Sequence, residues 1–194
     1  MTDFRFDETT HTYYLDGVKI PSVSEIISPL VDYSEVNPIT LANACNYGKA
    51  VHKTIELWLN GTLDEENLSE GLKQPLGEFK KTQNIFSLEL FAGEIKLFDE
   101  KLRFAGTLDL LWKNQIVDIK TRKYNSIIDD LQLTGYEILT GCKCEKYILE
   151  LLPNKPYNLI KIDNKQAKSM FLFMLEYWHK TNEFNEELNS WRGK

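Results

Sequence analysis

Apolar and polar positions switch back and forth between the period of a strand and that of a helix along the chain. "HTYYLDGVKIPSV" alternates around Asp16-Gly17, a pairing typical of a tight hairpin turn. Pro21 closes its second strand, and Ser22 is placed to cap a short helix reaching Ile27. From Pro38 to Leu59 the apolar positions Leu41, Ala44, Val51, Ile55 and Trp58 keep helical spacing, and Asn60-Gly61-Thr62 ends the run. A second helical stretch is expected from about Glu66 to Gln83, interrupted or divided by Pro75 and Gly77. From Phe86 the period changes. "IFSLELFAGEIKLF", "KLRFAGTLDLLW" and "QIVDIKT" read as three consecutive antiparallel strands, with a turn at Asp99 to Lys101. "SIIDDLQLTGYEILTG" returns to helical spacing, with Ile127 or Ile128, Leu131, Gly135 and Ile138 on one face and Gly141 at its end. "EKYILELLP" and "NLIKI" read as strands on either side of Asn154-Lys155-Pro156. A last helix is expected over roughly Asn164 to Thr181, with Met170, Phe171, Met174, Leu175 and Trp178 as core positions. Internal repeats and low-complexity linkers are absent from the sequence.

The third and second of the three central strands each carry an acid within an apolar run. With Lys113-Asn114 as a two-residue turn, Trp112 pairs with Gln115, Leu111 with Ile116 and Leu110 with Val117, so Asp109 would face Asp118. Opposed residues have Cβ atoms about 5 Å apart, and like charges there are destabilising unless a proton or a cation neutralises them. Asp118 and Lys120, two apart, project from the same side of the sheet. Two readings stay open from spacing alone. One is a buried ion pair plus a protonated acid, or an edge strand whose acids meet solvent. The other is a hard divalent ion, which takes carboxylate oxygens and keeps water, with the lysine placed to position that water or stabilise charge on a phosphate.

Composition narrows the classes without deciding between them. With 194 residues, 42% hydrophobic and 27% charged, the chain suits one globular domain. The expected division is an N-terminal hairpin and short helix over 1–37, a core over 38–150, and a C-terminal strand and helix over 151–194. No apolar run approaches the roughly 20 residues of a membrane span, and "MTDFRFDETT" lacks the features of a signal peptide, so a soluble, cytoplasmic protein is expected. The formal charge of -6 argues against a generally basic coat while leaving room for a local basic cleft. Cys45, Cys142 and Cys144 are too few for a four-ligand zinc site and read as reduced thiols.

An ordered series of short motifs resembles the PD-(D/E)XK nuclease superfamily and, within it, the RecB-like exonucleases. It comprises "GKAVH" (Gly48 to His52), "GEIKLF" (Gly93 to Phe98), "GTLDLL" (Gly106 to Leu111), "VDIKT" (Val117 to Thr121) and "QLTGY" (Gln132 to Tyr136). The resemblance covers roughly residues 10 to 150. It implies an α/β fold, a restriction-endonuclease-like core whose central mixed β-sheet is flanked by α-helices, here with an N-terminal β-hairpin. It also implies a metal-dependent DNA exonuclease acting at free DNA ends, with single-stranded DNA as substrate and one or two Mg²⁺ or Mn²⁺ ions as cofactor. The biological setting implied is recombination, repair or replication, with a recombination or replication protein as partner.

By that resemblance Asp109 and Asp118 are metal ligands, joined by the Ile119 backbone carbonyl and by His52 from the preceding helix. Lys120 is the catalytic lysine. Glu94 is the acid of the first strand, acting on the metal directly or through water. Gln132 and Tyr136 match a Gln-x-x-x-Tyr element that positions the lysine or the DNA. Helical geometry agrees, since i and i+4 share a face distinct from that of Leu131 and Ile138. Lys49, Lys53, Arg122 and Lys123 are candidate phosphate contacts, as are Lys143 and Lys146. Glu56 is either a partner of His52 or a solvated charge, and Glu89 and Glu100 rank behind Glu94. Tyr33, Tyr47, Phe4 and Tyr13 are each either core residues or platforms for unpaired bases. Leu108 stands where the superfamily has proline, and the three cysteines do not match the four of the iron-sulfur branches, so no cluster is expected. The competing readings are a catalytically silent DNA-binding module of the same fold and an endonuclease on the same site.

Overall fold

The structure is a computed structural model that describes residues 2–82, 92–112 and 114–192, with side chains described as far as Glu183. Its elements run β1 (Phe4–Asp7), β2 (Thr12–Leu15), β3 (Val18–Ile20), α1 (Val23–Ile27), a 3-10 turn (Ser28–Leu30), α2 (Pro38–Leu59), α3 (Glu70–Lys81), β4 (Ala92–Asp99), β5 (Phe104–Trp112), β6 (Gln115–Lys120), α4 (Ile128–Thr140), β7 (Glu145–Glu150), β8 (Asn158–Ile162) and α5 (Ala167–Arg192). The central sheet has the order β4-β5-β6-β7-β8, and a separate sheet has the order β1-β2-β3. Among the described strands of the central sheet only the β6–β7 pairing is parallel, and α4 provides the crossover it requires; an isolated parallel bridge, Ser22 to Ala105, ties the end of the ribbon to β5. This is the mixed sheet flanked by helices that the motifs imply.

The N-terminal ribbon has one more strand than expected. Asp16 and Gly17 both have positive φ, 51° and 77°, as a hairpin turn of the primed type requires. Phe4–Asp7 adds an outer strand, with Phe4 opposite Leu15 and Asp7 opposite Thr12. Its rings lie over the central sheet: Phe4 stacks on Phe98 at 4.4 Å between centroids, and the Tyr13 hydroxyl is 2.6 Å from Thr107 Oγ1. A capping box opens α1, with the Ser22 hydroxyl accepting from Glu25 N and the Glu25 carboxylate accepting from Ser22 N.

Helix α2 keeps its expected bounds because Asn37 caps it through Ile39 N and Thr40 N, Pro38 opens it, and Gly61 follows it at φ 67°. The expected apolar stripe holds only in the second half. Val51 and Ile55 are buried, whereas Leu41 is half-buried and Ala44 exposed, because among the described residues no layer packs over the first turns. Helix α3 is shorter than expected, and Pro75 lies inside it rather than dividing it. Proline removes the N–H that would bond the Gly71 carbonyl; the Tyr47 hydroxyl donates to that oxygen instead, at 3.4 Å.

The β5–β6 register is as expected for Leu110, Leu111 and Trp112. Lys113 lies outside the described residues, as do Glu89 and the first part of the expected strand ahead of Ala92. Helix α4 ends on Gly141 in the left-handed conformation, and α5 is longer than expected. One apolar cluster lies between the sheet and α1, α4 and α5, where Phe104, Leu108, Tyr136 and Phe171 meet. Another, with Val51, Ile55, Phe79, Val117 and Leu149, lies under α2 and α3. The site lies where α2, β5, β6 and α4 come together.

Candidate active site

Strands β5 and β6 part company beyond Leu110 and Val117. Leu108 pairs with Ile95 on β4, while β6 runs on beside β7 as far as Lys120. The backbone groups of Ile119 are thereby denied a strand partner on the β5 side, and side chains take both. Ile119 N donates to Asp109 Oδ2 at 2.7 Å, and Ile119 O lies 3.0 Å from His52 Nε2. The other ring nitrogen of His52 is 3.1 Å from Asp109 Oδ1. A carbonyl and a carboxylate only accept, so both ring nitrogens must donate and His52 is an imidazolium. Burial disfavours that charge, but Asp109 outweighs it and raises the His52 pKa to about 9.

The two acids therefore do not neutralise one another; each has its own cation. Asp118 Oδ2 lies 2.6 Å from Lys120 Nζ. Among the described residues this ion pair is what compensates the buried oxygen. Burial, reinforced by Asp109, raises the Asp118 pKa to about 6 against the pull of Lys120. For Lys120 burial acts downward, but Asp118 and Asp109 hold its pKa above the usual lysine value. The Asp109 carboxyl is pushed up by burial and pulled further down by His52 and Lys120.

A relay of fixed polarity leads away from the lysine. Lys120 Nζ donates to Gln132 Oε1 at 2.8 Å, and Gln132 Nε2 donates to the Tyr136 hydroxyl at 2.9 Å. An ammonium can only donate, which sets the amide orientation and leaves the Tyr136 hydrogen for another acceptor. Burial and the nearby carboxylates keep the phenol protonated, with a pKa well above the usual value.

Tyr136, His52, Asp109, Glu94, Lys49 and Lys53 line one cleft of about 590 Å³. Glu94 is exposed there with φ 51° in the middle of β4, a strained conformation of the kind that concentrates at functional sites. It makes no hydrogen bond to Asp109 or His52 among the described residues. Lys53 pairs with Glu56 at 2.6 Å, which shows Glu56 to be that lysine's partner and not the group that orients His52. Lys49 is exposed and unpaired among the described residues.

Arg122 and Lys123 are placed elsewhere, along a separate groove. Arg122 is held in a bidentate pair by Asp129 at 2.9 and 2.5 Å. Lys146 is taken up by Glu137, and Glu100 accepts from Thr2. Among the described residues no three histidine, cysteine or acidic side chains stand ready to hold a metal ion. The His52 imidazolium already lies between its two acceptors and Lys120 against Asp118. Cys45, Cys142 and Cys144 are free thiols.

Sequence reading missed Asp129. Its carboxylate is fully buried, accepts from Asn125 N at 2.7 Å, and presents Oδ1 to both Arg122 and, at 4.0 Å, Lys120. The only signal was an acid pair in the first turn of a helix, three residues ahead of Gln132, where acids are favoured for the helix dipole alone.

No family model matches the chain, and no curated protein sequence matches it. Solved structures do. A putative exonuclease from Eubacterium rectale is 15% identical over 68% of this chain, with TM-score 0.48; the chain spans 64% of that protein's length. An alkaline exonuclease from Laribacter hongkongensis aligns over 89% of this chain and 92% of its own, with 10% identity and TM-score 0.53. The same enzyme in complex with dAMP aligns over 90% and 93%, with 12% identity and TM-score 0.51. The protein therefore has the fold of the Laribacter hongkongensis exonuclease, with the His52–Asp109–Ile119 cluster at the cleft and the Lys120–Gln132–Tyr136 relay reaching it through Tyr136.

Proposed function

We propose that the protein is a metal-dependent DNA exonuclease of the RecB-like type, hydrolysing phosphodiester bonds from free ends. The observation that carries this reading is the convergence of hard acceptors at the parting of β5 and β6. The Asp109 carboxylate and the Ile119 carbonyl share an imidazolium, and beside them a buried Asp118 oxygen is met by the Lys120 ammonium at 2.6 Å. These donors fit Mg²⁺ or Mn²⁺. Asp109, Asp118 and the Ile119 carbonyl would hold the ion, with His52 joining once it gives up its extra proton and Glu94 placed at the rim. One or two such ions would polarise the phosphate and lower the pKa of bound water. Lys120, fixed by Gln132 and Asp118, orients the attacking water. The water oxygen bonds to phosphorus as the bond to the leaving 3′ oxygen breaks; the water gives up a proton to solvent and the 3′ oxygen takes one up, leaving a 5′-phosphate and a 3′-hydroxyl. The Tyr136 hydroxyl offers its hydrogen to the substrate in the cleft, and Lys49 and Lys53 are placed to meet phosphates. Single-stranded DNA is the proposed substrate, and recombination, repair or replication the proposed setting, in company with a protein of those processes. No helix among the described residues is long and apolar enough to cross a membrane.

End-labelled linear single- and double-stranded DNA, incubated with Mg²⁺, Mn²⁺ or EDTA, tests the proposal against an Asp109→Asn/Asp118→Asn variant. Metal-dependent shortening that the variant lacks supports it. Binding without cleavage of any DNA would replace it with the silent binding module, and cleavage of closed circles with an endonuclease.

A further inference from the structure

The groove that holds Arg122 and Lys123 shares no lining residue with the cleft at His52. It consists of two adjoining hollows, about 660 and 370 Å³, which have Val31, Tyr33, Arg122 and Ile128 in common. Gln132 lines the smaller hollow, and Gln132 is the residue that grips Lys120. The groove thus reaches Gln132, the middle member of the relay, from a side other than the cleft.

Its walls combine aromatic and cationic groups. Tyr33 is 52% exposed, in the segment between the 3-10 turn and α2; its carbonyl accepts from Val36 N, while its side chain has no hydrogen-bond or ring partner among the described residues. Phe4, Tyr13 and Tyr47, the other aromatic candidates, are instead packed against the apolar clusters. Leu30 at the end of the 3-10 turn, Val36 in this segment and Ile39 at the start of α2 are exposed as well, at 38%, 38% and 72%. Lys123 is exposed and without a carboxylate partner among the described residues. The Arg122 side chain is 46% exposed, anchored from below by Asp129. Asp32, the acid within the groove, is turned back on its own chain by accepting from Ser34 N at 2.8 Å.

From this combination we infer that the groove carries a single DNA strand, with a base stacked on the Tyr33 ring and phosphates on Lys123 and the outer edge of Arg122. A ring that every base can cover, beside cations that follow the backbone, is the chemistry of sequence-tolerant strand binding. The chain's net charge of -6 makes a patch with these cations stand out. This inference rests on the nuclease reading for its purpose and on the groove alone for its test.

The test is equilibrium binding of fluorescent oligothymidine to the full chain in EDTA, where cleavage does not intervene. Tyr33→Ala weakens binding about ten-fold, whereas Tyr33→Phe stays close to wild type and Phe173→Ala, on the remote exposed face of α5, leaves it unchanged. Lys123→Ala lowers the slope of log affinity against log salt by about 0.7, the value for one phosphate on a single strand. Wild-type protein that fails to bind, Tyr33→Ala that binds like wild type, or Tyr33→Phe as weak as Tyr33→Ala would overturn the assignment. Shortening of the same oligonucleotide in Mg²⁺ reports separately on the nuclease reading, so the two can fail independently.

Discussion

Two helical glycines predict opposite outcomes for the same substitution. Gly48 lies within α2, on the cleft beside Lys49 and His52. Among the described residues a Cβ there would meet one neighbour within 4 Å, Thr121 Oγ1 at 3.3 Å, and a rotation of that side chain relieves the contact. Alanine is favoured over glycine in a helix interior by about 1 kcal/mol, so Gly48→Ala should stabilise the protein by about 0.5 to 1 kcal/mol. Gly135 lies within α4, and its Cβ would come within 2.7 and 2.8 Å of the Phe171 ring and 2.9 Å of Val23 Cγ1. Both neighbours are fully buried and have nowhere to move. Overpacking of that kind costs about 1 to 3 kcal/mol, which exceeds the helix gain and leaves Gly135→Ala destabilised by up to about 2 kcal/mol. With an m-value of about 2 kcal/mol/M, the urea midpoint moves up by about 0.4 M for Gly48→Ala and down by up to about 1 M for Gly135→Ala. The methyl at residue 48 also stands on the cleft wall, so the more stable variant should cleave DNA more slowly. A Gly48→Ala protein that is less stable than wild type refutes the packing argument. One that is more stable and cleaves at the wild-type rate refutes the idea that a strand must approach α2 closely at this point.

Three further outcomes follow from the site and its supports. Asp109→Asn removes the charge that keeps His52 protonated, so the His52 ring, followed by NMR in metal-free solution, should titrate well below its present value of about 9; an unchanged midpoint would mean that another group sets it. Mg²⁺ or Mn²⁺ at about 100 times its dissociation constant should stabilise the wild-type fold by about 2.7 kcal/mol, read as a rise in Tm over the EDTA value, and a similar rise in Asp118→Asn would place the ion elsewhere. Ser22→Ala deletes one half of the capping box and should lower stability by about 1 kcal/mol, with denaturation curves showing whether so short a helix depends on its cap.

What the sequence could disclose depended on how local each cause was. The β5–β6 register was readable because alternation and a two-residue turn fix it within a dozen residues, and α2 because Asn37, Pro38 and Gly61 mark its ends. Strand β1 was not, since Phe4 to Asp7 has too few residues for alternation to register and gains its place by packing Phe4 on Phe98. Pro75 misled because its consequence depends on a distant donor, Tyr47, which bonds the Gly71 carbonyl from 24 residues earlier in the chain, rather than on its neighbours. The ordered motifs named His52, Asp109, Ile119, Lys120, Gln132 and Tyr136, and the fold brings these together. They gave no means of separating Lys49 and Lys53, on the cleft, from Arg122 and Lys123, on the groove. Asp129 stayed hidden for the same reason, because an acid early in a helix looks the same whether it faces water or anchors an arginine under the lysine.

The parting of the strands explains why charges can collect in an apolar hairpin. An unbroken β5–β6 ladder would set Asp109 against Asp118 and bury both with no cation between them. Ending the ladder at Leu110 and Val117 leaves the Ile119 N–H and C=O without strand partners, and such buried groups carry a penalty of roughly 1 to 3 kcal/mol each if nothing bonds them. Asp109 and His52 bond both, so the same interruption that separates the acids also creates the demand their side chains meet. Substituting either residue should then loosen β6 where it leaves β5, and not only alter the chemistry. Amide exchange at Ile119 should quicken in both Asp109→Asn and His52→Ala while exchange at Ile116, inside the retained ladder, stays slow. Equal acceleration at the two amides would mean that these side chains support the whole hairpin and that the open end of the ladder has no separate role.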